Sequence, residues 1–212
     1  MYNTYLFDFD GTLVDSMPYY GATMLRILDE NQISYPADVI KIITPLGYAG
    51  AAEYFIKLGM DHSKEEIVAI MVKYLTEVYA NVIPAKSNVI EVLKKLKANG
   101  ASLNVLTASP HVMLDACLKR LGVFDLFDYV WSCEDFATTK ADPNIYKMAA
   151  DKIGVPVEQV LFLDDNYNAD KTAKQAGMRV CGVYDLSSDE YTEQMKALND
   201  HYIYDFSELL EI

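Results

Sequence analysis

The chain has 212 residues, of which 51% are apolar, and it carries a formal net charge of −13. This length fits one domain of moderate size or a domain with an insertion. The negative charge argues against nucleic acid as a partner, because phosphate backbones would be repelled. No run of ~18 apolar residues is present, and no basic, apolar leader precedes the first predicted strand. We therefore expect no membrane partner and a cytoplasmic location.

The first predicted element is a short strand, because Tyr5–Phe7 form an apolar run that is typical of a strand buried on both faces. The run ends at two acidic residues, Asp8 and Asp10, and Gly11 then allows a tight turn. Ligands of open parallel sheets bind beyond the carboxyl ends of the strands. This segment is therefore the first candidate for an active site.

Helical patterns fill the next part of the chain. Pro18 suits the first turn of one helix, and two shorter helices follow Pro36. Ser63 and Glu66 have the spacing of a capping box at the start of a longer helix. No strand pattern interrupts this stretch, so residues 15–81 are predicted to form a small helical bundle.

From residue 82 onward, strands alternate with helices. The predicted strands are 102–106, 129–132, 160–163 and 180–183, and a last short strand and a closing helix are expected within 202–212. The helices between them end at glycines, namely Gly100, Gly122, Gly154 and Gly177. Such alternation implies a parallel sheet with crossover helices. The chain is thus predicted to be an α/β core, residues 1–14 and 82–212, split by a helical insertion, residues 15–81.

Polar residues recur at later points of this core. Thr107 and Ala108 follow the second predicted strand, and Asp164 and Asp165 follow the strand 160–163. Lys140 comes shortly before a helix that begins at Asp142-Pro143. Taken singly, each has an ordinary explanation: a threonine at a strand end, a solvated lysine and acids that cap a helix. Because an unpaired charge beside a buried strand is unfavourable, the adjacent acids favour a functional reading.

The segment Asp8–Ser16, with the sequence DFDGTLVDS, resembles the first motif of the haloacid dehalogenase-like hydrolase superfamily. Thr107, Lys140 and the Asp164-Asp165 pair are similar to its three later motifs in the same order, although Ala141 stands where the third motif usually has Pro. A helical insertion directly after the first motif resembles the small-cap branch, which includes phosphoglycolate phosphatase and β-phosphoglucomutase. The resemblance implies an α/β fold with a Rossmann-like parallel sheet core, helices on both faces and an inserted all-helical cap domain.

The resemblance also implies catalytic roles. Asp8 would be the nucleophile that forms an aspartyl-phosphate, and Asp10 the general acid/base. Lys140 would neutralise negative charge. The implied cofactor is Mg²⁺, and its expected ligands are the Asp8 carboxylate, the Asp10 backbone carbonyl, Asp165 and Asp164. Oxygen ligands of this kind are those that Mg²⁺ prefers.

Binding of the phosphate and the substrate is assigned by the same resemblance. The hydroxyl of Thr107, with the backbone N–H groups near Phe9 and Ala108 and the Lys140 ammonium, would hold the phosphoryl oxygens. Tyr20 and Tyr48, at helix starts of the predicted cap, are candidates for the substrate pocket. Packing within the cap or against the core explains these two tyrosines equally well.

The expected function is a Mg²⁺-dependent phosphatase, a phosphoric monoester hydrolase acting on a small phosphorylated metabolite. The expected oligomeric state is a monomer or a weak homo-oligomer. The alternatives are a phosphosugar mutase similar to β-phosphoglucomutase and a non-catalytic binding protein on the same fold. A mutase of that type has a His where this chain has Tyr20, and an Arg in the loop that here reads GYAGAA, residues 47–52. Dehalogenation is disfavoured because the dehalogenases of the superfamily lack an acid equivalent to Asp10.

Overall fold

The computed structural model describes residues 2–212, and these residues form a six-stranded sheet. The strands are β1 (Thr4–Phe7), β2 (Ser102–Thr107), β3 (Tyr129–Ser132), β4 (Val160–Asp164), β5 (Arg179–Val183) and β6 (His201–Ile203). Their order across the sheet is β3-β2-β1-β4-β5-β6, and all neighbouring pairs are parallel. The predicted α/β fold with a Rossmann-like parallel sheet is therefore confirmed.

Strand β1 lies between β2 and β4. Phe7, its last residue, is in register with Val105 on one side and with Leu163 on the other. All four residues of β1 are buried, as expected for a central strand covered on both faces. The residues that follow β1, β2 and β4 consequently meet at one edge of the sheet.

Nine α-helices occur within residues 2–212. They are α1 (Met17–Glu30), α2 (Val39–Ile43), α3 (Gly47–Lys57), α4 (Lys64–Asn81), α5 (Val89–Ala98), α6 (His111–Arg120), α7 (Pro143–Ile153), α8 (Tyr167–Ala176) and α9 (Thr192–Leu198). Short 3₁₀ helices span Thr44–Leu46, Phe124–Leu126, Cys133–Phe136, Val157–Gln159, Leu186–Tyr191 and Phe206–Glu211. None of the helices within residues 2–212 combines the length and the apolar composition that a membrane span requires.

The ends of α7 show how local sequence sets a helix boundary. The carboxylate of Asp142 accepts a hydrogen bond from the N–H of Asn144 at 2.9 Å, and Pro143 occupies the first turn. At the other end Gly154 has a φ of 87°, the left-handed conformation that closes many helices. These caps fix where α7 begins, and Lys140 lies shortly before that point.

The chain divides into two compact units. The first comprises the described residues up to Asp15 together with Ile83–Ile212, and the second is Ser16–Val82, which contains α1–α4. In the second unit, the predicted capping box of α4 is present: Ser63 Oγ accepts from the Glu66 N–H at 3.3 Å, and Glu66 Oε2 accepts from the Ser63 N–H at 2.8 Å. A role for this unit as a substrate cap stays a prediction.

Two features near the C-terminus differ from the expected elements. Helix α9 was not predicted, because its only buried side chain is Met195 and its sequence has no apolar stripe. The expected closing helix is a 3₁₀ helix, Phe206–Glu211, which begins with a capping box formed by Asp205 and Glu208. Both elements are short and depend on packing against the sheet unit more than on their own pattern.

Candidate active site

The parallel pairing of β1 and β4 brings two acidic segments together. Phe7 is in register with Leu163, so the residues that come next in the chain, Asp8 and Asp164, lie side by side. The backbone N–H of Asp8 donates to the carbonyl of Leu163 at 2.8 Å and extends the pairing by one residue. The positions of both carboxylates therefore follow from the strand register.

Asp165 completes an acidic cluster with these two residues. Carboxylate oxygens of Asp8, Asp164 and Asp165 all lie within 4.8 Å of one another, and the three side chains are buried. Burial of several like charges is strongly unfavourable unless cations compensate them. The cluster is thus a candidate site for positively charged groups.

Lys140 provides one such charge. Its ammonium group donates to Asp8 Oδ1 and, at 2.8 Å, to Asp164 Oδ2. The hydroxyl of Tyr146, on α7, lies 3.1 Å from the Lys140 carbonyl and supports the loop that carries the lysine. Lys140 therefore reaches the cluster from outside the β1–β4 pair, and its catalytic role stays a prediction.

The cluster holds three carboxyl groups and one ammonium group, so a single lysine does not balance its negative charge. Burial raises the pKa of the Asp8 carboxyl to about 8, with further increases from Asp164 and Asp10, although Lys140 opposes the rise. Burial, followed by the charges of Asp164 and Asp8, also holds the pKa of Asp165 well above its usual range. Burial acts to lower the pKa of Lys140, but the charges of Asp164 and Asp8 outweigh it and keep that pKa well above normal.

A divalent cation fits this donor set. Carboxylate oxygens are hard ligands of the kind that Mg²⁺ and similar ions bind, and a second positive centre would lower the pKa values of the clustered acids. The candidate ligands are Asp8, Asp164 and Asp165, with the backbone carbonyl of Asp10 as the fourth predicted one. The residues present therefore match the expected need for a metal, while the identity of the ion is a separate question.

Gly11 allows the loop after β1 to approach the cluster closely. Its φ is 75°, and a Cβ atom at this position would lie 2.5 Å from Asp165 Oδ2. The next residue, Thr12, donates its hydroxyl proton to Asp165 Oδ1 at 3.2 Å. A side chain at position 11 would thus displace the Asp165 carboxylate. The contact of Thr12 was not expected from the sequence.

Strand β2 contributes hydroxyl groups to the same edge of the sheet. Thr107 is buried, and its Oγ1 accepts from the N–H of Ser109 at 3.1 Å, which leaves the hydroxyl proton available as a donor. Ser109 Oγ in turn donates to Asp10 Oδ2 at 2.5 Å. Ser109 was not predicted from the sequence as a site residue. The available signal was a second hydroxyl two residues after Thr107, just before Pro110.

The remaining predicted site residues have the following locations. Phe9 is buried directly after Asp8, and Ala108 is exposed between Thr107 and Ser109. Tyr20 lies on α1 and Tyr48 on α3, so both belong to the second compact unit, and each is partly buried. Their assignment to a substrate pocket stays a prediction.

The comparison with known families agrees with this site. A sequence model of the haloacid dehalogenase-like hydrolases matches residues 2–177, most of the chain. The protein belongs to the haloacid dehalogenase-like hydrolases. The resemblance inferred from the four motifs is therefore confirmed, and so is the expectation of an enzyme of this hydrolase class.

Individual relatives point in the same direction. A pyrophosphatase of Bacillus velezensis is 27% identical over 84% of this chain and 81% of its own length. A phosphoglycolate phosphatase of Colwellia psychrerythraea is 27% identical over 97% of this chain and 94% of its own. The crystal structure of a predicted phosphoglycolate phosphatase from Haemophilus somnus superposes with a TM-score of 0.83, covering 99% of this chain and 97% of that one at 22% identity. At that identity the structural likeness shows the fold alone.

Proposed function

We propose that this protein is a Mg²⁺-dependent phosphatase that hydrolyses a small phosphate monoester through an aspartyl-phosphate on Asp8. The observation that carries the proposal is the buried cluster of Asp8, Asp164 and Asp165, with Lys140 bound to two of its members. The family membership and the phosphatases among the relatives support it. The metal would be held by Asp8, Asp164, Asp165 and the Asp10 carbonyl.

In the first half of the reaction Asp8 attacks phosphorus. A carboxylate oxygen forms a bond to phosphorus while the bond from phosphorus to the ester oxygen breaks. Asp10 gives its proton to that leaving oxygen, which departs as an alcohol. When bound, Mg²⁺ would supply positive charge that offsets the repulsion between the Asp8 carboxylate and the phosphate. The Lys140 ammonium, already at Asp8, supplies a second positive charge.

In the second half, water attacks the phosphorus of the aspartyl-phosphate. Asp10, now ionised, takes a proton from this water, and the bond between phosphorus and the Asp8 oxygen breaks. The products are inorganic phosphate and the restored Asp8 carboxylate. The hydrogen bond from Ser109 Oγ to Asp10 Oδ2 supports this role, because it holds the carboxyl in one orientation next to the cluster.

The phosphoryl oxygens need donors in both halves of the reaction. We assign the Thr107 hydroxyl, the Lys140 ammonium and the backbone N–H groups of Phe9 and Ala108 to this task. Thr107 is the last residue of β2 and Asp8 follows the neighbouring strand β1, which supports a common phosphate site at this edge. Tyr20 and Tyr48 remain proposed contacts for the rest of the substrate.

The direct test is hydrolysis of p-nitrophenyl phosphate with Mg²⁺ and with excess EDTA. We expect release of p-nitrophenol that requires the metal, together with a beryllofluoride adduct that forms on the wild-type protein and not on the Asp8→Ala variant. A panel of monoesters with 2-phosphoglycolate and hexose phosphates, and pyrophosphate as a non-ester, would then identify the substrate class. Metal-independent hydrolysis, or no turnover of any compound, would contradict the proposal.

β-Glucose 1-phosphate with a trace of the 1,6-bisphosphate separates hydrolysis from the mutase alternative. A phosphatase releases inorganic phosphate from the sugar, whereas a mutase forms glucose 6-phosphate with little free phosphate. Residues 47–52, expected from the sequence to form a loop, are the start of α3 and contain no Arg or Lys to bind a second phosphate. An unpaired phosphate dianion in a closed site is unfavourable. We therefore expect phosphate release from this sugar to be slow and that from a better monoester to be faster.

A further inference from the structure

Lys86 makes contacts that the proposed reaction does not use. It lies four residues after the second unit ends at Val82 and shortly before α5, which begins at Val89. Its ammonium group donates to the Gly11 carbonyl at 2.7 Å, to the Tyr184 carbonyl at 2.5 Å and to Asp185 Oδ2 at 3.0 Å. A lysine has three N–H donors, so each donor of this mostly buried side chain has an acceptor.

One of these acceptors belongs to the loop that contacts the metal-ligand candidate. The backbone N–H of Lys86 donates to the Leu13 carbonyl at 3.0 Å, while its side chain binds the Gly11 carbonyl. The Gly11 N–H donates within the loop to the Val14 carbonyl at 3.0 Å. Lys86 therefore holds the turn after β1 at two points.

The turn at Gly11 and Thr12 also limits the position of Asp165. A Cβ atom at Gly11 would lie within 2.8 Å of the carboxyl carbon and both carboxyl oxygens of Asp165. Thr12 Oγ1 donates a hydrogen bond to Asp165 Oδ1. A shift of the turn away from the sheet would lose the Thr12 hydrogen bond and open space beside the carboxylate. A shift toward the sheet would collide with it.

Asp185, which accepts a hydrogen bond from Lys86, is also held in place. Asp185, which follows β5, is buried, and its Oδ1 accepts from the Ser187 N–H at 2.9 Å and from Ser187 Oγ at 2.7 Å. Lys86 thus joins a well-anchored carboxylate after β5 to the turn after β1. Strand β4, which carries Asp164 and is followed by Asp165, lies between those two strands in the sheet.

We propose that Lys86 is a positioning residue that holds the Gly11–Thr12 turn against Asp165 and thereby keeps this carboxylate in place to bind the divalent cation. The proposal rests on the proposed function, since it concerns the same metal site. Lys86 acts through the turn and touches neither the substrate nor the reacting atoms.

The sign of the effect separates positioning from simple charge. Lys86 also carries a positive charge, and its ammonium group binds the carbonyl of Gly11, which packs against the Asp165 carboxylate. If charge alone mattered, removing Lys86 would make cation binding tighter, because a repelling positive charge is lost. If Lys86 positions Asp165, removing it makes cation binding weaker.

The test measures Mn²⁺ binding to the whole protein without substrate, by following the electron paramagnetic resonance signal of the free ion. We expect Lys86→Met, which keeps most of the length of the side chain and removes its donors, to bind Mn²⁺ ~10-fold more weakly, as is typical when a group that orients a metal ligand is lost. Lys86→Arg should restore most of the affinity. Lys97→Met is the matched control, because Lys97 on α5 pairs with Asp128 at 2.5 Å and has no contact with the turn.

Unchanged or tighter Mn²⁺ binding by folded Lys86→Met overturns the proposal. If that variant does not fold, Lys86→Gln takes its place, since it lacks the charge and keeps a shorter donor, and it must also bind Mn²⁺ more weakly. Wild-type protein that binds no Mn²⁺ would contradict the metal site itself and so the proposed function. Wild-type binding that Lys86→Met leaves intact would contradict the positioning role alone.

Discussion

The sheet unit and the helical unit of this chain differ in whether their charged side chains are buried or exposed. In the sheet unit the carboxylates of Asp8, Asp164 and Asp165 are buried at one edge of the sheet. In the helical unit, Ser16–Val82, the buried polar side chains are two hydroxyl groups, those of Ser16 and Thr23. Its charged groups pair at the surface instead.

The ion pairs of the helical unit illustrate the difference. Lys64 and Glu53 lie 2.6 Å apart, and Arg26 and Glu30 lie 2.7 Å apart, with all four side chains well exposed. Exposed pairs of this kind contribute little to stability, because water screens the attraction between their charges. Buried charge is unfavourable for folding, so its concentration in one place indicates chemistry. Changes to the buried charges of the sheet unit should therefore affect activity more than stability. Changes in the helical unit should affect stability more than activity.

The largest effect should come from Asp8→Asn. The variant keeps the shape of the side chain and its place after β1, but an amide cannot form the aspartyl-phosphate, so we expect no detectable metal-dependent turnover of p-nitrophenyl phosphate. The midpoint of thermal unfolding should stay the same or rise, because one buried charge is removed from the cluster.

Asp128→Asn is the matched control for that change. Asp128 is an acid of the same unit that pairs with Lys97 at the surface, and its loss should leave turnover intact. Appreciable turnover by well-folded Asp8→Asn protein would rule out Asp8 as the nucleophile. A large loss in the Asp128 variant would show that any acid in this unit matters, which would break the comparison.

The next effect distinguishes two acids of the same site. Asp10→Asn should reduce turnover ~10²–10⁴-fold, the usual contribution of a general acid/base, while Mg²⁺ affinity changes little because only a backbone carbonyl of this residue is a proposed ligand. Asp165→Ala should weaken Mg²⁺ binding first. Titration of turnover against Mg²⁺ concentration separates the two. An equal loss of metal affinity in both variants would overturn the assigned roles.

Much of the sheet unit could be predicted from sequence because local signals agree with the fold. Apolar runs end at acids or threonine, and helices end at glycines. Strand β3 was predicted at its observed bounds, Tyr129–Ser132. Helix α7 was predicted with both of its caps, Asp142 and Gly154. Helix α9 lacked such a signal, since Met195 is its one buried residue. Where tertiary contacts alone stabilise an element, its own sequence says little.

The candidate site shows the same limit at the level of side chains. Asp8 and Asp164 were expected together because parallel strands end at one edge, and Lys140 was assigned to them by its resemblance to the third motif. The contact between Ser109 and Asp10 spans 99 residues, and that between Lys86 and Gly11 spans 75. Neither has a pattern of spacing, because both depend on how loops lie after the strands. Hydrogen bonds between loops were thus the part that sequence reasoning could not supply.

A third prediction concerns a buried acid of the sheet unit outside the cluster. Asp170, on α8, is buried, and its Oδ2 accepts from Asn199 Nδ2 at 2.5 Å, whereas no group within residues 2–212 forms a hydrogen bond with its Oδ1 or with Asn199 Oδ1. Burial and the charge of Asp164 hold the pKa of the Asp170 carboxyl well above its usual value, although the hydrogen bond from Asn199 opposes this. The charge of Asp165 adds to the rise and that of Lys140 opposes it.

Because of Asp170, the free energy of unfolding of the wild type should fall as the pH rises. An acid with a raised pKa in the folded state binds its proton more tightly there, so stability falls as the pH rises above the unfolded value of about 3.9 and until the folded pKa is passed. Asp170→Asn removes that decline, and we expect its free energy of unfolding in urea to exceed that of the wild type at pH 8 and to differ less at pH 4. A wild-type advantage that grows with pH would contradict this.

The smallest effect should come from the capping box of α4 in the helical unit. Ser63→Ala removes the hydroxyl that accepts from the Glu66 N–H, which should lower the free energy of unfolding by ~1 kcal/mol. Thr76→Ala in the same helix is the matched control, because its hydroxyl bonds only the Val72 carbonyl, and alanine is the better helix former, so stability should stay equal or rise. Turnover of p-nitrophenyl phosphate per folded molecule should be unchanged in both variants. A drop in turnover for Ser63→Ala at a temperature where the variant remains folded would mean that the start of α4 affects catalysis directly, and the division between a unit that carries the chemistry and a unit that responds through stability would no longer hold.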